Sequence, residues 1–436
     1  HQHPHKGKDC TVCEIDYAHR ARPSGARTLH PKRGAAPISH LLPKSARPGL
    51  LHPAKECHVR DCATWPKRGS VQIEGKQDMA DFIVIGGGIA GISAGARLSH
   101  LGEVVLLERE DALGYHASGR SAALFEQNYG KPSVIALNKA SHDYHATANG
   151  GVLSPRGIML AGSAATAAAY DADRKDMDLA ELTLSEALDL CPILRTDVVD
   201  RVAYDPDAFD VDTDLLIQNF AREIRANGGT IVTKAEVSRI QRTPTGWTVV
   251  TRAGDFDGAN LVNAAGAWVD VVAQMAGIAP IGFTPLRRSM ARIPAPMDPS
   301  HWPMIFGAGE DWYFKPDAGA LIVSPAEEDP TEPHDAFADD MVLAEGLARF
   351  EEHTTVEVTR LLSNWAGLRT FSPDRQLVLG RDPADPAFVW VAGQGGYGFQ
   401  TAPAASQLIA DLMAGRAPEI GQDIAASLAP DRFTTR

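Results

Sequence analysis

The 436-residue sequence predicts an α/β chain, α+β overall, on three observations. A β-branched run breaks into glycines and then into a helix-period segment, a similar unit recurs near the C-terminus, and alternating stretches lie between them. Residues 81–85 (DFIVI) form the first run, whose apolar Phe82–Ile85 suit a strand buried in a parallel sheet. GGGIAG follows, giving Gly86-x-Gly88-x-x-Gly91, and ISAGARLSHLG then carries helical periodicity to Gly102. EVVLLE makes a second strand that closes on Glu108. Strand, glycine turn, helix, strand and acid together form the dinucleotide fingerprint of a Rossmann-like domain. Gly86 permits the tight turn, Gly88 lets backbone approach a pyrophosphate, and Gly91 lets the helix press on the strand. The free N–H groups of the first helical turn, around Ala90, favour phosphate charge. Glu108, about 20 residues on, is placed to accept hydrogen bonds from ribose hydroxyls. This motif alone leaves the dinucleotide open.

Composition narrows the class. At 44% hydrophobic and 22% charged residues the chain reads as an ordinary globular protein, and a net charge of −13 argues against nucleic acid as a partner. The charge is unevenly spread. Residues 1–78 hold 14 Lys/Arg, 7 Asp/Glu and 8 of the 15 His, so the remainder stands near −20. That segment is rich in Pro, Arg and His, shows no sustained period and holds four of the five cysteines. It is expected to be a disordered or spurious extension, with the compact chain starting at Met79. A sharper alternative takes Cys10, Cys13, Cys57 and Cys62, with His58, as a zinc site. The second spacing is loose and no hydrophobic pattern surrounds the four, so no metal is expected. The body keeps only Cys191, so no disulfide framework is expected and a reducing cytoplasm is the default compartment. No run of about 18 apolar residues occurs, which argues against a spanning helix and leaves peripheral attachment at the inner membrane face open.

The stretch after Glu108 decides between dinucleotides. Arg109 leads into DALGYHASGRSAALF, whose small residues run Ala117, Ser118, Gly119, Arg120, Ser121, Ala122, Ala123, Leu124. Nicotinamide-binding folds usually continue directly into their next helix. A loop of this kind suits a cofactor lying extended beneath it, with backbone N–H groups, Ser118, Arg120 and Ser121 as donors. Further blocks follow in order: LSPR (153–156), YDPDAFDVDTDLL (204–216), LVNAAGAWVD (261–270), PLRRSM (285–290), DWYFKPDAG (311–319), WAGLR (365–369) and AGQGGYGFQT (392–401). On these blocks the sequence resembles the FAD-dependent D-amino-acid oxidase and glycine oxidase superfamily, closest to its D-arginine dehydrogenase-like D-amino-acid dehydrogenases. The resemblance runs from about residue 81 to about residue 425.

It implies non-covalently bound FAD in a Rossmann-like FAD-binding domain made of residues 79–155, 204–280 and 365–436. A substrate-binding domain of residues 156–203 and 281–364, on a mostly antiparallel sheet, is interleaved with it. The resemblance also places Val237 by the adenine and Gly266 against the cofactor. It lines the isoalloxazine with Gly395, Gly396, Tyr397, Gly398, Phe399 and Gln400. Read unaided, TIVTKAEVSRIQR and GWTVVTRAG alternate like a strand pair, and LVNAAGAW reads as a buried strand ending at Gly266. FVWVAGQGGYGFQTAPAASQLIADLMAG is again strand, glycine turn and amphipathic helix, whose N-terminus suits the negative charge of a reduced flavin.

Flavin oxidation of an amino acid asks the site to fix geometry and favour a neutral amine, because the Cα hydrogen leaves as hydride. The substrate carboxylate calls for a guanidinium fork. The resemblance assigns that fork to Arg288 and Arg369, gives Tyr313 a hydrogen bond to the same carboxylate, and makes Tyr129 the cap of the pocket. Arg287 is expected to be structural, and His116 to belong to the cofactor loop rather than serve as a base. Leu124 and Ile158 stand where the D-arginine dehydrogenase pattern has a histidine and a guanidinium-binding glutamate. Phe399 is bulky, and Met304 and Gly396 complete the expected pocket. A buried cation without a partner costs several kcal/mol. Apolar or aromatic D-amino acids are therefore expected over basic ones. Glu126 reads two ways, as a substitute acid reaching the pocket or as a solvent-facing loop carboxylate.

The expected reaction yields an imino acid, hydrolysed to a 2-oxo acid and ammonia, by a dehydrogenase or an oxidase with a quinone, another carrier or O2 as acceptor. Oxidation of glycine, sarcosine, proline or another secondary amino acid is the alternative within the same chemistry. An FAD-binding electron-transfer subunit is the alternative from another class.

Overall fold

The computed structural model describes residues 79–433. The expected extension over residues 1–78 and the alternative zinc site at Cys10, Cys13, Cys57, His58 and Cys62 lie outside the described residues. Within them the chain folds around two large sheets and a small one.

The first sheet grows from the strand Ala80–Ile85, which pairs in parallel with Val104–Leu107 on one side and Gly254–Asn263 on the other. Val104–Leu107 then pairs in parallel with Thr230–Val232. These segments are apolar on both faces because helices cover the sheet. The helices Ile89–Leu98, Gly398–Ala414 and Thr213–Ala226 pack against one another on one face, enclosing Val84, Ile92, Phe220 and Leu408. Strand Gly254–Asn263 serves two partners along its length. Its first half meets Gly246–Thr251 antiparallel, and its second half meets Phe388–Ala392 in parallel.

Two sequence expectations are refined here. TIVTKAEVSRIQR is not one strand but two: Thr230–Val232 joins the parallel edge, whereas Val237–Thr243 forms the antiparallel pair with Gly246–Thr251. Lys234, at φ 58, makes the break between them. The LVNAAGAW strand ends at Asn263 rather than Gly266, because Gly266 at φ 55 opens a short 3-10 turn over Gly266–Trp268.

The second sheet has nine strands and is antiparallel except where Met304–Gly307 pairs with Ile158–Gly162. Its central strand Thr284–Pro294 pairs along nine residues with Ser363–Phe371, and on its other edge with Ala320–Ser324. Trp312, Phe314 and Phe350 are buried on one side of it. A three-stranded sheet ties Leu124–Phe125 through Phe209–Val211 to Leu153–Pro155. No helix among the described residues is long and apolar enough to cross a membrane.

Candidate active site

The glycine turn after Ala80–Ile85 is packed too closely for side chains. A Cβ on Gly86, at φ 111, would stand 2.4 Å from the Ala264 carbonyl oxygen, and one on Gly91 only 1.9 Å from the Gly86 oxygen. Gly91 therefore sits behind the turn, while Gly86, Gly88 and Ala90 border a cavity of about 440 Å³. Glu108 and Arg109 border the same cavity, as do Val237 and Gly266. Glu108 is buried, and its two oxygens accept from Gly87 N at 2.7 Å and Glu110 N at 2.8 Å. Each oxygen keeps a lone pair for a ribose hydroxyl. Arg109 lies over the Trp268 ring, 4.9 Å from its centre.

The loop after Glu108 follows this turn. Ser118 Oγ accepts from Ile89 N at 3.0 Å, so the loop caps the first helix. Ala117, Ser118, Arg120, Ser121, Ala122, Ala123 and Leu124 reach the cavity wall. Gly119 lies behind it, where a Cβ would stand 2.5 Å from the Gly114 oxygen. Arg120 faces the cavity, but its guanidinium is engaged by Asp335, Ala336 O (2.8 Å) and Ala366 O (3.1 Å). It braces the loop more than it offers free donors. His116 pairs with Glu110 at 2.9 Å and packs on Trp268, as a residue of the cofactor loop.

A second glycine turn closes the cavity. Gly395 takes φ 52, and Gly395, Gly396, Gly398, Phe399 and Gln400 border the space at the N-terminus of helix Gly398–Ala414. Tyr397 departs from the expected lining. It borders an adjoining cavity instead, where its ring lies 5.4 Å from that of Tyr129. Two helix N-termini and a run of main chain that tolerates no Cβ form a cradle suited to an extended dinucleotide. The residues present fit FAD.

The two arginines expected to take a carboxylate are brought together by strand register. Arg288 pairs with Gly367, and Arg369 with Leu286, so the two arginines are diagonal neighbours on one face of the sheet. Gly367 leaves the space opposite Arg288 clear. Arg288 is 5% exposed, and its Nε donates to Glu327 O at 2.9 Å. Burial, and then the charge of Arg369, depress its pKa. The Arg369 guanidinium forms an ion pair with no carboxylate among the described residues. The buried Tyr313 hydroxyl has no hydrogen-bond partner there either. Tyr129 donates to Glu310 Oε2 at 3.0 Å across the cavity mouth. Arg287, on the opposite face, pairs with Asp329 at 2.8 Å, in keeping with a structural role.

Leu124, Ile158, Met304 and Phe399 border the cavity beside this clamp, joined by Met290 and Phe306, which the sequence reading missed. Both follow from period two, since Met290 stands two residues after Arg288 and Phe306 two after Met304. Lys315 was also missed. Its buried ammonium donates to Ala122 O and Asp210, each at 2.6 Å, and so ties the cofactor loop to the strand of Tyr313. Glu126 borders the cavity but is only 2% exposed, which overturns its reading as a solvent-facing carboxylate. Its Oε1 accepts from Asn128 N at 2.8 Å, while its Oε2 has no hydrogen-bond partner. Burial first, then nearby Asp205 and Asp207, push its pKa up to about 7. Among the described residues no cluster of His, Cys, Asp and Glu is arranged to hold a metal ion.

A main-chain cradle for FAD beside a paired-arginine clamp defines a flavin-dependent oxidoreductase. The chain belongs to the DAO family: the model described as FAD dependent oxidoreductase matches residues 81–412. Among curated proteins it is 24% identical over 206 residues to L-2-hydroxyglutarate dehydrogenase of Indibacter alkaliphilus, covering 44% of this chain. The match spans about half that dehydrogenase's length, 52%. The fold is shared with L-proline dehydrogenase from P. horikoshii, at TM-score 0.72 and 21% identity over 82% of this chain and 98% of that one. It is shared likewise with glycine oxidase from Geobacillus kaustophilus, at TM-score 0.68 and 20% identity over 78% of this chain and 95% of that one.

Proposed function

We propose that this chain oxidises D-amino acids at the Cα–N bond, to an imino acid that water converts to the 2-oxo acid and ammonia. FAD, when bound, supplies the acceptor for the hydride leaving Cα. The protein's part is to place and hold. Arg288 and Arg369 take the substrate carboxylate from one sheet face, and Tyr313 completes the clamp with the hydroxyl that otherwise lacks a partner. Tyr129 borders the same site, held by its hydrogen bond to Glu310.

The observation that carries this reading is the arginine pair on the cavity wall, with Arg369 free of any carboxylate among the described residues. The side-chain preference is read from the wall beside it. Leu124, Ile158, Met290, Met304, Phe306 and Phe399 are apolar, so an apolar or aromatic side chain loses water without stranding a charge. Glycine or proline as substrate is the second reading, favoured by the proline dehydrogenase and glycine oxidase that share the fold.

Anaerobic bleaching of the flavin by a panel of D-, L- and N-methyl amino acids tests both. D-Leucine- or D-phenylalanine-like compounds are expected to reduce the flavin fastest. Reduction by L-isomers alone would sink the stereochemical reading, and D-arginine as the fastest reductant would sink the apolar one.

A further inference from the structure

The clamp lies next to a carboxylate that could silence it. Glu328, 36% exposed at its side chain, already pairs with Arg288, its Oε1 accepting a long hydrogen bond from Nη2 at 3.4 Å. Arg288 already spends Nε on the Glu327 carbonyl, so its remaining face is the one a substrate carboxylate must reach. A small turn toward Arg288 would shorten this contact to a full charge-assisted pair and fill that face. Any substrate would then have to displace an internal carboxylate first.

Arg375 stands against that turn. Its Nη2 donates to both oxygens of Glu328, each at 2.9 Å, closer than Glu328 comes to Arg288. Arg375 is itself fixed. Its guanidinium lies 3.9 Å from the centre of the Phe371 ring, and its backbone, at φ 61, donates to Ser372 O at 2.9 Å. The turn that carries it directly follows the strand bearing Arg369. The other acids bordering the adjoining cavity are engaged elsewhere: Glu310 accepts from Tyr129, and Asp173 from Gly309 N at 2.7 Å. Glu328 is thus the carboxylate nearest the clamp, and Arg375 is what draws it away.

We propose that Arg375 is a positioning residue that draws Glu328 toward itself and keeps the Glu328–Arg288 pair long and weak, leaving Arg288 open to the substrate carboxylate. This rests on reading Arg288 and Arg369 as that clamp. The role predicts a binding defect without a chemical one. In the FAD-loaded Arg375→Met protein, Glu328 turns to Arg288, and the Kd for benzoate, read from the flavin spectrum, rises about tenfold. KM for the best bleaching amino acid rises by a similar factor, with kcat within about twofold. Benzamide, which lacks the charge, serves as control and is expected to bind both proteins alike. The double variant Arg375→Met/Glu328→Gln removes the competing charge and is expected to restore wild-type Kd and KM.

That rescue separates a charge effect from a damaged turn, which a second substitution would not repair. Equal benzoate affinity in wild type and Arg375→Met, or a double variant as weak as the single one, overturns the proposal. Failure of the wild type to bind benzoate would remove the clamp itself, and this inference with it. Wild-type binding with no effect of Arg375 would sink the inference alone.

Discussion

At the dinucleotide end the cavity is walled by main chain, and at the substrate end by side chains. Gly86 and Gly91 bring backbone within distances that no Cβ survives, and Glu108 and Ser118 add side-chain oxygens to that turn. At the other end Arg288, Arg369 and Tyr313 present guanidinium and hydroxyl groups from three separate strands. A main-chain wall depends on the absence of atoms, so its smallest substitution does the largest damage. A side-chain wall depends on charge placement, so it can lose function while the fold persists.

The first way to break this contrast is Gly91→Ala. The added methyl would lie 1.9 Å from the Gly86 oxygen, and the obstacle is backbone rather than a movable side chain. The helix must leave the strand, and its N-terminus leaves the pyrophosphate position. The expected result is purified protein with no flavin, measured by absorbance after desalting. Stoichiometric FAD in this variant would show that the turn is looser than its geometry.

Arg369→Met tests the other wall. Removing one member of a buried charged pair commonly costs about 2–5 kcal/mol, so kcat/KM and benzoate affinity are expected to fall roughly 30- to 5000-fold. Flavin content should stay at the wild-type level, because the Arg369 guanidinium ties down no carboxylate among the described residues. A flavin content that drops along with activity would place Arg369 in the cofactor wall instead.

The same contrast explains what the sequence made legible. A glycine required by sterics recurs at fixed spacing, so Gly86, Gly88, Gly91 and the turn Gly395–Gly398 could be read with the strands and helices around them. Arg288 and Arg369 are 81 positions apart and meet only through the register of two long strands, which local patterning does not encode. Their assignment rests on matched motifs, and the register explains only why they lie side by side. Met290 and Phe306 could have been found by extending period two from Arg288 and Met304. Glu310 could not, since a residue at the tip of a hairpin turn carries no periodic signal. Tyr397, at the start of its helix, borders the adjoining cavity rather than the one its neighbours border.

Glu126 belongs to neither wall, and its substitution sharpens the comparison with the smallest effect on binding. Its carboxyl lies within the loop that passes from one end of the cavity to the other. There its backbone N donates to Gln400 Oε1 at 2.7 Å and its carbonyl accepts from Asn138. Burial raises its pKa from the ordinary 4.5 to about 7. For a raised carboxyl, the folded chain keeps a proton that the unfolded chain releases above about pH 4.5. Stability is therefore fully present below that value and is lost as pH climbs through about 7, by roughly 3 kcal/mol in all. Glu126→Gln keeps an oxygen for Asn128 N and supplies an amide donor where Asp205 faces the carboxyl, with no charge to bury. The variant is expected to match wild type in urea unfolding at pH 5 and to exceed it by about 3 kcal/mol at pH 8. An equal difference at both pH values would mean that this carboxyl does not titrate in the folded chain. If the ranking of basic against apolar D-amino acids shifts as well, Glu126 acts on the substrate through the cavity it borders.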